Sequence, residues 1–180
     1  MEKPIFYCDC DGVLLNTIEV AFEIMRENGC DMNSSKEINY FFRKKLDWNE
    51  VFRKASYINN SIDRLRYIKE SNIFKEIIIL TKICSVFDEE RVKRELFNDV
   101  LPDVRVITLQ YGLDKALVVP ARNNVLLDDE ISNCKKWEEN EGTAILFSTY
   151  MRNPGKNIIS DLNELTSTKG VKKLLKTRNF

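Results

Sequence analysis

The chain contains no histidine among its 180 residues. That absence removes the commonest general base, the commonest zinc ligand and every serine or cysteine mechanism that relies on imidazole. Acid–base chemistry is left to carboxylates, lysine, tyrosine or cysteine. Net charge is missing as well: 28 basic and 28 acidic residues cancel, so no overall field draws the protein to polymeric nucleic acid or to an anionic membrane. No apolar run approaches membrane-spanning length, and Met1-Glu2-Lys3-Pro4 leads into an apolar stretch without a signal-peptide pattern. Together these predict a cytoplasmic protein. The 5 cysteines are odd in number and lack C-x-x-C spacing, which argues against a disulfide framework and a structural zinc site and for reduced thiols.

What is present is enough apolar material, 43% of the residues, for one domain with a real core. The most informative segment is Ile5-Phe6-Tyr7-Cys8-Asp9-Cys10-Asp11-Gly12-Val13. Its apolar run is too short for a helix and rich in β-favouring residues, so it predicts a central parallel strand. The run ends in Asp9 and Asp11, one residue apart, and Gly12 frees the next turn. Two carboxylates so close repel when ionised, and no lysine or arginine stands beside them in the sequence. A hard divalent cation removes that cost, and magnesium suits carboxylate, carbonyl and phosphate oxygens.

Helical periodicity is expected over residues 17–28, 34–46, 48–57 and 61–70, so residues 17–72 form a helical insert. A second apolar strand covers 76–81, ending at Thr81. A crossover helix comes next over 85–97, then strands at 104–109, 124–127 and 143–147, with a helix at 131–140 between the last two and a terminal helix near 167–176. Strands alternating with helices imply a three-layer α/β/α, Rossmann-like domain around a mostly parallel five-stranded sheet. Ligands in such sheets bind at the carboxyl ends of the strands. Asp9 and Asp11, Thr81, and Asp128 with Asp129 all fall at such ends. Four acids on one rim require a cation. Asp128-Asp129-Glu130 also suits a helix N-terminus, where acids favour the dipole.

In this order, Asp9-Cys10-Asp11-Gly12-Val13, Thr81, Lys115 and Asp128-Asp129 resemble the four motifs of the haloacid dehalogenase (HAD) superfamily of phosphohydrolases. The resemblance implies a HAD core over 1–16 and 73–180 and a small inserted cap over 17–72. It further implies that Asp9 is the nucleophile that forms an aspartyl-phosphate, and that Asp11 is the acid that protonates the leaving alcohol and later the base that activates water. Asp9, the Asp11 carbonyl and Asp128 would hold magnesium, with Asp129 bound directly or through water. Thr81, Lys115 and the backbone amides around Cys10 and Gly12 would bind phosphate, with Lys82 the alternative to Lys115. Cys10 stands where the family usually has an aliphatic residue and reads as a small hydrophobe.

The insert is rich in aromatic residues, Phe41, Phe42, Trp48, Phe52, Tyr57 and Tyr67. Most should pack its own core, with Trp48 and Tyr57 as candidates for substrate selection. Residues 114–119 together with 126–129 are similar to the corresponding region of 5'(3')-deoxyribonucleotidases, which implies a nucleoside monophosphate; a sugar phosphate or another small phosphomonoester is the alternative. A phosphotransferase or mutase would share every core residue, and a member without catalysis would only bind phosphate or a protein partner.

Overall fold

The computed structural model describes residues 2–85, 88–149 and 158–166. Six strands, β1 (Ile5–Cys8), β2 (Glu76–Ile83), β3 (Arg105–Gln110), β4 (Val125–Asp128), β5 (Thr143–Phe147) and β6 (Ile158–Ile159), form one sheet in the order β3-β2-β1-β4-β5-β6. Every neighbouring pair in it is parallel. The central strands are buried on both faces, as their unbroken apolar runs require.

Alternate residues serve opposite layers. Phe6, Cys8, Ile77, Ile79, Val125 and Leu127 share one apolar cluster with Ile62, Leu65 and Ile68 of helix α4 (Ser61–Glu70) and Phe97 of α5 (Asp88–Val100). Tyr7, Ile78, Leu80 and Leu126 share the other with Trp137 of α7 (Ile131–Glu139). The Trp137 ring meets Tyr7 edge-on at 5.3 Å, and its indole N–H donates to the Asn124 carbonyl at 3.2 Å.

Between β1 and α4 lie α1 (Thr17–Glu27), α2 (Ser35–Lys44) and α3 (Trp48–Lys54). Side-chain caps start the last two: Ser34 accepts from the Glu37 amide at 3.3 Å and Asp47 from the Asn49 amide at 2.9 Å. Val20, Ala21, Ile24, Met25, Phe41 and Val51 gather in a third apolar cluster of their own. Where this helical unit leaves and rejoins the chain, Asn16 and Ser56 are tied together. The Asn16 amide donates to the Ser56 carbonyl at 3.1 Å, and the Ser56 amide donates to Asn16 Oδ1 at 2.7 Å. Beyond that tie, α4 packs under the sheet and serves as the crossover to β2.

The sheet has six strands where the sequence predicts five. β6 is two residues long and pairs Ile158 with Leu146 and Ile159 with Phe147, too short a run to show a period. β2 runs two residues past Thr81, because Ile83 is buried and pairs with Gln110; Thr81 therefore sits inside the strand. The four-residue helix α6 (Lys115–Val118) was not expected, being shorter than any periodic signal. The expected terminal helix near 167–176 lies outside the described residues. No helix among the described residues is long and apolar enough to cross a membrane.

Phe97 is fully buried between α5 and the sheet. Replacing it with alanine is expected to lower unfolding free energy by about 3–5 kcal/mol, read by urea denaturation; a loss below about 1 kcal/mol would contradict this packing.

Candidate active site

β1 and β4 are neighbours at the point where the chain reverses its direction across the sheet, and their carboxyl ends lie level, with Cys8 opposite Leu127. The Asp9 amide continues that pairing by donating to the Leu127 carbonyl at 2.9 Å. The chain then turns sharply: the amides of Leu14 and Leu15 donate to the Cys10 carbonyl at 2.8 and 3.1 Å. Gly12 takes a left-handed conformation with φ of +72°, and a Cβ there would stand 2.2 Å from Asp129 Oδ2. The backbone conformation favours glycine, and a side chain there would also displace the Asp129 carboxylate. The Cys10 side chain is fully buried in the apolar cluster, as a small hydrophobe would be, and its amide donates to Asp9 Oδ1 at 2.8 Å.

Single carboxylate oxygens of Asp9, Asp128 and Asp129 all lie within 4.8 Å of one another. Lys115 Nζ stands between two of these acids, 3.0 Å from Asp9 Oδ1 and 2.7 Å from Asp128 Oδ2. It is 2% exposed, and although burial works against its charge, Asp9 and Asp128 more than offset that and raise its pKa. Asn133 Nδ2 donates to both Asp128 oxygens, at 3.0 and 3.1 Å, and the Glu130 amide donates to Oδ1 at 2.9 Å. Lys82, the alternative lysine, turns instead to Asn133 Oδ1 at 2.7 Å and Glu130 Oε2 at 3.4 Å.

Burial pushes the Asp9 pKa up to about 7; Lys115 opposes this, and the charges of Asp128 and Asp11 add to it. Asp129 keeps exposed surface, but its carboxyl lies against Gly12 and the acid cluster. Desolvation there, with the charges of Asp9 and Asp128, pushes its pKa up to about 8. Such a set of oxygen donors, short of positive charge, fits a hard divalent cation.

Asp11 has different neighbours. Its Oδ1 accepts from Thr17 Oγ1 at 2.6 Å, and its Oδ2 accepts from Lys93 Nζ at 2.5 Å and Thr81 Oγ1 at 3.2 Å. Burial alone would raise its pKa, but the Lys93 charge and these hydrogen bonds outweigh burial and lower it. Lys93, Glu89, Thr17 and Asn133 were not anticipated from sequence. Glu89 and Lys93 have the i, i+4 spacing of a solvated surface pair. The available signal was that 89, 93 and 97 lie on one helical stripe ending in the aromatic Phe97.

Of the two aromatic candidates for substrate selection, the structure brings one to the site. Tyr57 is 42% exposed and lines a cavity of about 520 Å³ together with Gly12, Asn16, Phe22, Asp129 and Ser148. Trp48 is not among its lining residues: it is 2% exposed, packs near Phe42 and Phe52 and lays its ring 5.7 Å from Lys93 Nζ. Its bulk and helical spacing made it a core residue first.

No protein-family model matches this sequence, and no curated protein matches it. Solved structures do. The magnesium-bound YfnB of Bacillus subtilis, described as a HAD-hydrolase, superposes with a TM-score of 0.59 at 12% identity over 92% of this chain and 97% of its own. A HAD hydrolase of family IA from Entamoeba histolytica gives 0.59 at 16% identity over 97% and 100%. A HAD family hydrolase from Deinococcus radiodurans, with bound phosphate and sodium, gives 0.55 at 12% over 91% and 93%. The chain has the α/β fold of the HAD hydrolases, with an acidic aspartate cluster at the carboxyl ends of its strands.

The raised acids make a pH prediction whose sign is fixed. An unfolded aspartate titrates near ~3.9, so the stability that protonated Asp9 and Asp129 contribute is complete below that value. It is lost as pH rises through about 7 and about 8. The metal-free protein should therefore melt at progressively lower temperature from pH 5 to pH 9, magnesium should restore most of the loss at the alkaline end, and its affinity should rise over the same window. Thermal melts with and without magnesium check this; affinity independent of pH would refute it.

Proposed function

We propose that this chain is a magnesium-dependent phosphomonoester hydrolase of the HAD superfamily, working through an aspartyl-phosphate on Asp9. The observation that carries the reading is the company Asp9 keeps: Lys115, Asp128 and Asp129 on one side and Asp11, two residues on, beside Thr81. The magnesium in the Bacillus subtilis structure and the phosphate in the Deinococcus radiodurans structure support it by fold analogy. The carboxylates of Asp9, Asp128 and Asp129, with the Asp11 carbonyl, would hold the cation, which neutralises charge between carboxylate and phosphate.

A carboxylate approaching a phosphate faces strong repulsion, which Lys115 and the Thr81 hydroxyl offset; the Gly12 amide, expected from sequence to join them, donates instead to the Leu15 carbonyl at 2.8 Å. Asp9 forms a bond to phosphorus as the bond to the ester oxygen breaks, and that oxygen takes a proton from Asp11. Because its surroundings favour ionised Asp11, the proton enters with a monoanionic ester and passes through Asp11 to the leaving oxygen. Water then attacks the phosphorus, giving its proton to Asp11, and Asp9 is released. Helices α1–α3, which have their own apolar cluster, act as the cap over the core, with α4 belonging to the sheet layer. The cavity beside Tyr57 holds the leaving group, a nucleoside or a sugar in size.

Turnover of p-nitrophenyl phosphate should require magnesium and fall at least about 10³-fold in Asp9→Asn. A panel of nucleoside monophosphates and sugar phosphates then ranks substrates, with Tyr57→Ala changing the ranking more than the magnesium affinity. Absence of any turnover above the Asp9→Asn background would leave a phosphate- or protein-binding member of the fold.

A further inference from the structure

Asp11 is the acid and base of the proposed reaction, and the role assigned to its buried neighbour Lys93 rests on that reading. A group that must meet a leaving oxygen at hydrogen-bond distance has to be aimed, and three side chains grip Asp11, Thr81 donating to Oδ2 at 3.2 Å. Thr17 holds Oδ1 at 2.6 Å and Lys93 holds Oδ2 at 2.5 Å. Lys93 is wholly buried. Its ammonium also donates to Glu89 Oε1 and to the Lys82 carbonyl, both at 2.8 Å, and to Thr81 Oγ1 at 3.1 Å.

An ammonium has three N–H groups, and these oxygens engage all of them inside the protein. Glu89 is itself fixed, its Oε2 accepting from the amides of Cys84 at 2.6 Å and Ser85 at 3.0 Å. The Trp48 ring stands 5.7 Å from the ammonium. The lysine is thus a fixed positive point delivered by α5, and Asp11 retains 15% side-chain exposure for anything it serves.

We infer that Lys93 is a positioning residue for acid catalysis, holding the Asp11 carboxyl on the line to the leaving oxygen without touching substrate. An alkyl phosphate expels a strongly basic alkoxide, which needs its proton as the bond to phosphorus breaks. A p-nitrophenyl ester expels a stable phenolate that needs none. In the first step, which kcat/KM reports, misaiming Asp11 therefore penalises the alkyl ester selectively, whereas a general disturbance of the fold penalises both.

The test compares p-nitrophenyl phosphate with glycerol 3-phosphate at saturating magnesium, with Asp11→Asn as the reference for loss of the acid. Lys93→Met leaves two buried acids without their cation. Lys93→Met combined with Glu89→Gln removes one of those charges, and both variants are measured. Loss of kcat/KM on the alkyl ester is expected to exceed loss on the aryl ester by at least about tenfold, the lower range for a general acid, with magnesium affinity within about twofold of wild type. Equal losses on the two esters, a parallel loss of magnesium affinity, or failure of both variants to fold would make Lys93 a structural counter-ion and overturn the inference. A wild-type protein that hydrolyses neither ester would overturn the hydrolase reading itself.

Discussion

Two ammonium groups shut away from solvent hold together a rim made of carboxylates. Lys115 reaches it from α6, just before β4, and neutralises Asp9 and Asp128. Lys93 reaches it from α5, across the opposite face of the sheet, and neutralises Asp11 and Glu89. Taking such charges out of water is costly, and the cost is recovered only where geometry is good and the remaining donors and acceptors are satisfied. Both lysines meet that condition, since each contacts two acids and Asn133, Thr17 or backbone groups complete the acceptors. The division of labour follows from it. Asp9 and Asp129, left with less positive charge than negative, are the acids beside which a cation would fit, whereas Asp11 has Lys93 against it.

The central sheet was legible because its strands are continuous apolar runs, which only a two-sided parallel sheet demands. Level registration of β1 with β4 then follows from hydrogen bonding, and with it the meeting of Asp9 and Asp128. Lys115 was singled out by its place in the order of the resembling motifs, with Lys82 as the alternative, and the structure sets it beside Asp9 and Asp128. Lys93 was not. A charged residue in a charged helix reads as surface, and its inward turn depends on a partner acid 82 positions away in sequence. Local pattern carries no record of that pairing. β6 was hidden for the opposite reason: two isoleucines pair because β5 offers an edge, a property of the assembled sheet and not of the two residues.

Trp48 illustrates how the helical unit and the core share material. The sequence offers a large aromatic within a region that would cover a ligand, so substrate contact is a reasonable expectation. Packing assigns it instead to the third apolar cluster, with its ring over the ammonium that grips Asp11. Arg91 of α5 adds a hydrogen bond to Asn49 of α3 at 2.8 Å. These helices therefore rest on the same helix whose Lys93 holds Asp11.

The tie between Asn16 and Ser56 brings the two ends of a stretch of some forty residues to a single point. Backbone closure is thus completed by the framework and not by whatever lies between those ends. The entropy of joining those ends depends only weakly on their separation along the chain, so the tie itself sets little limit on how many residues lie between them.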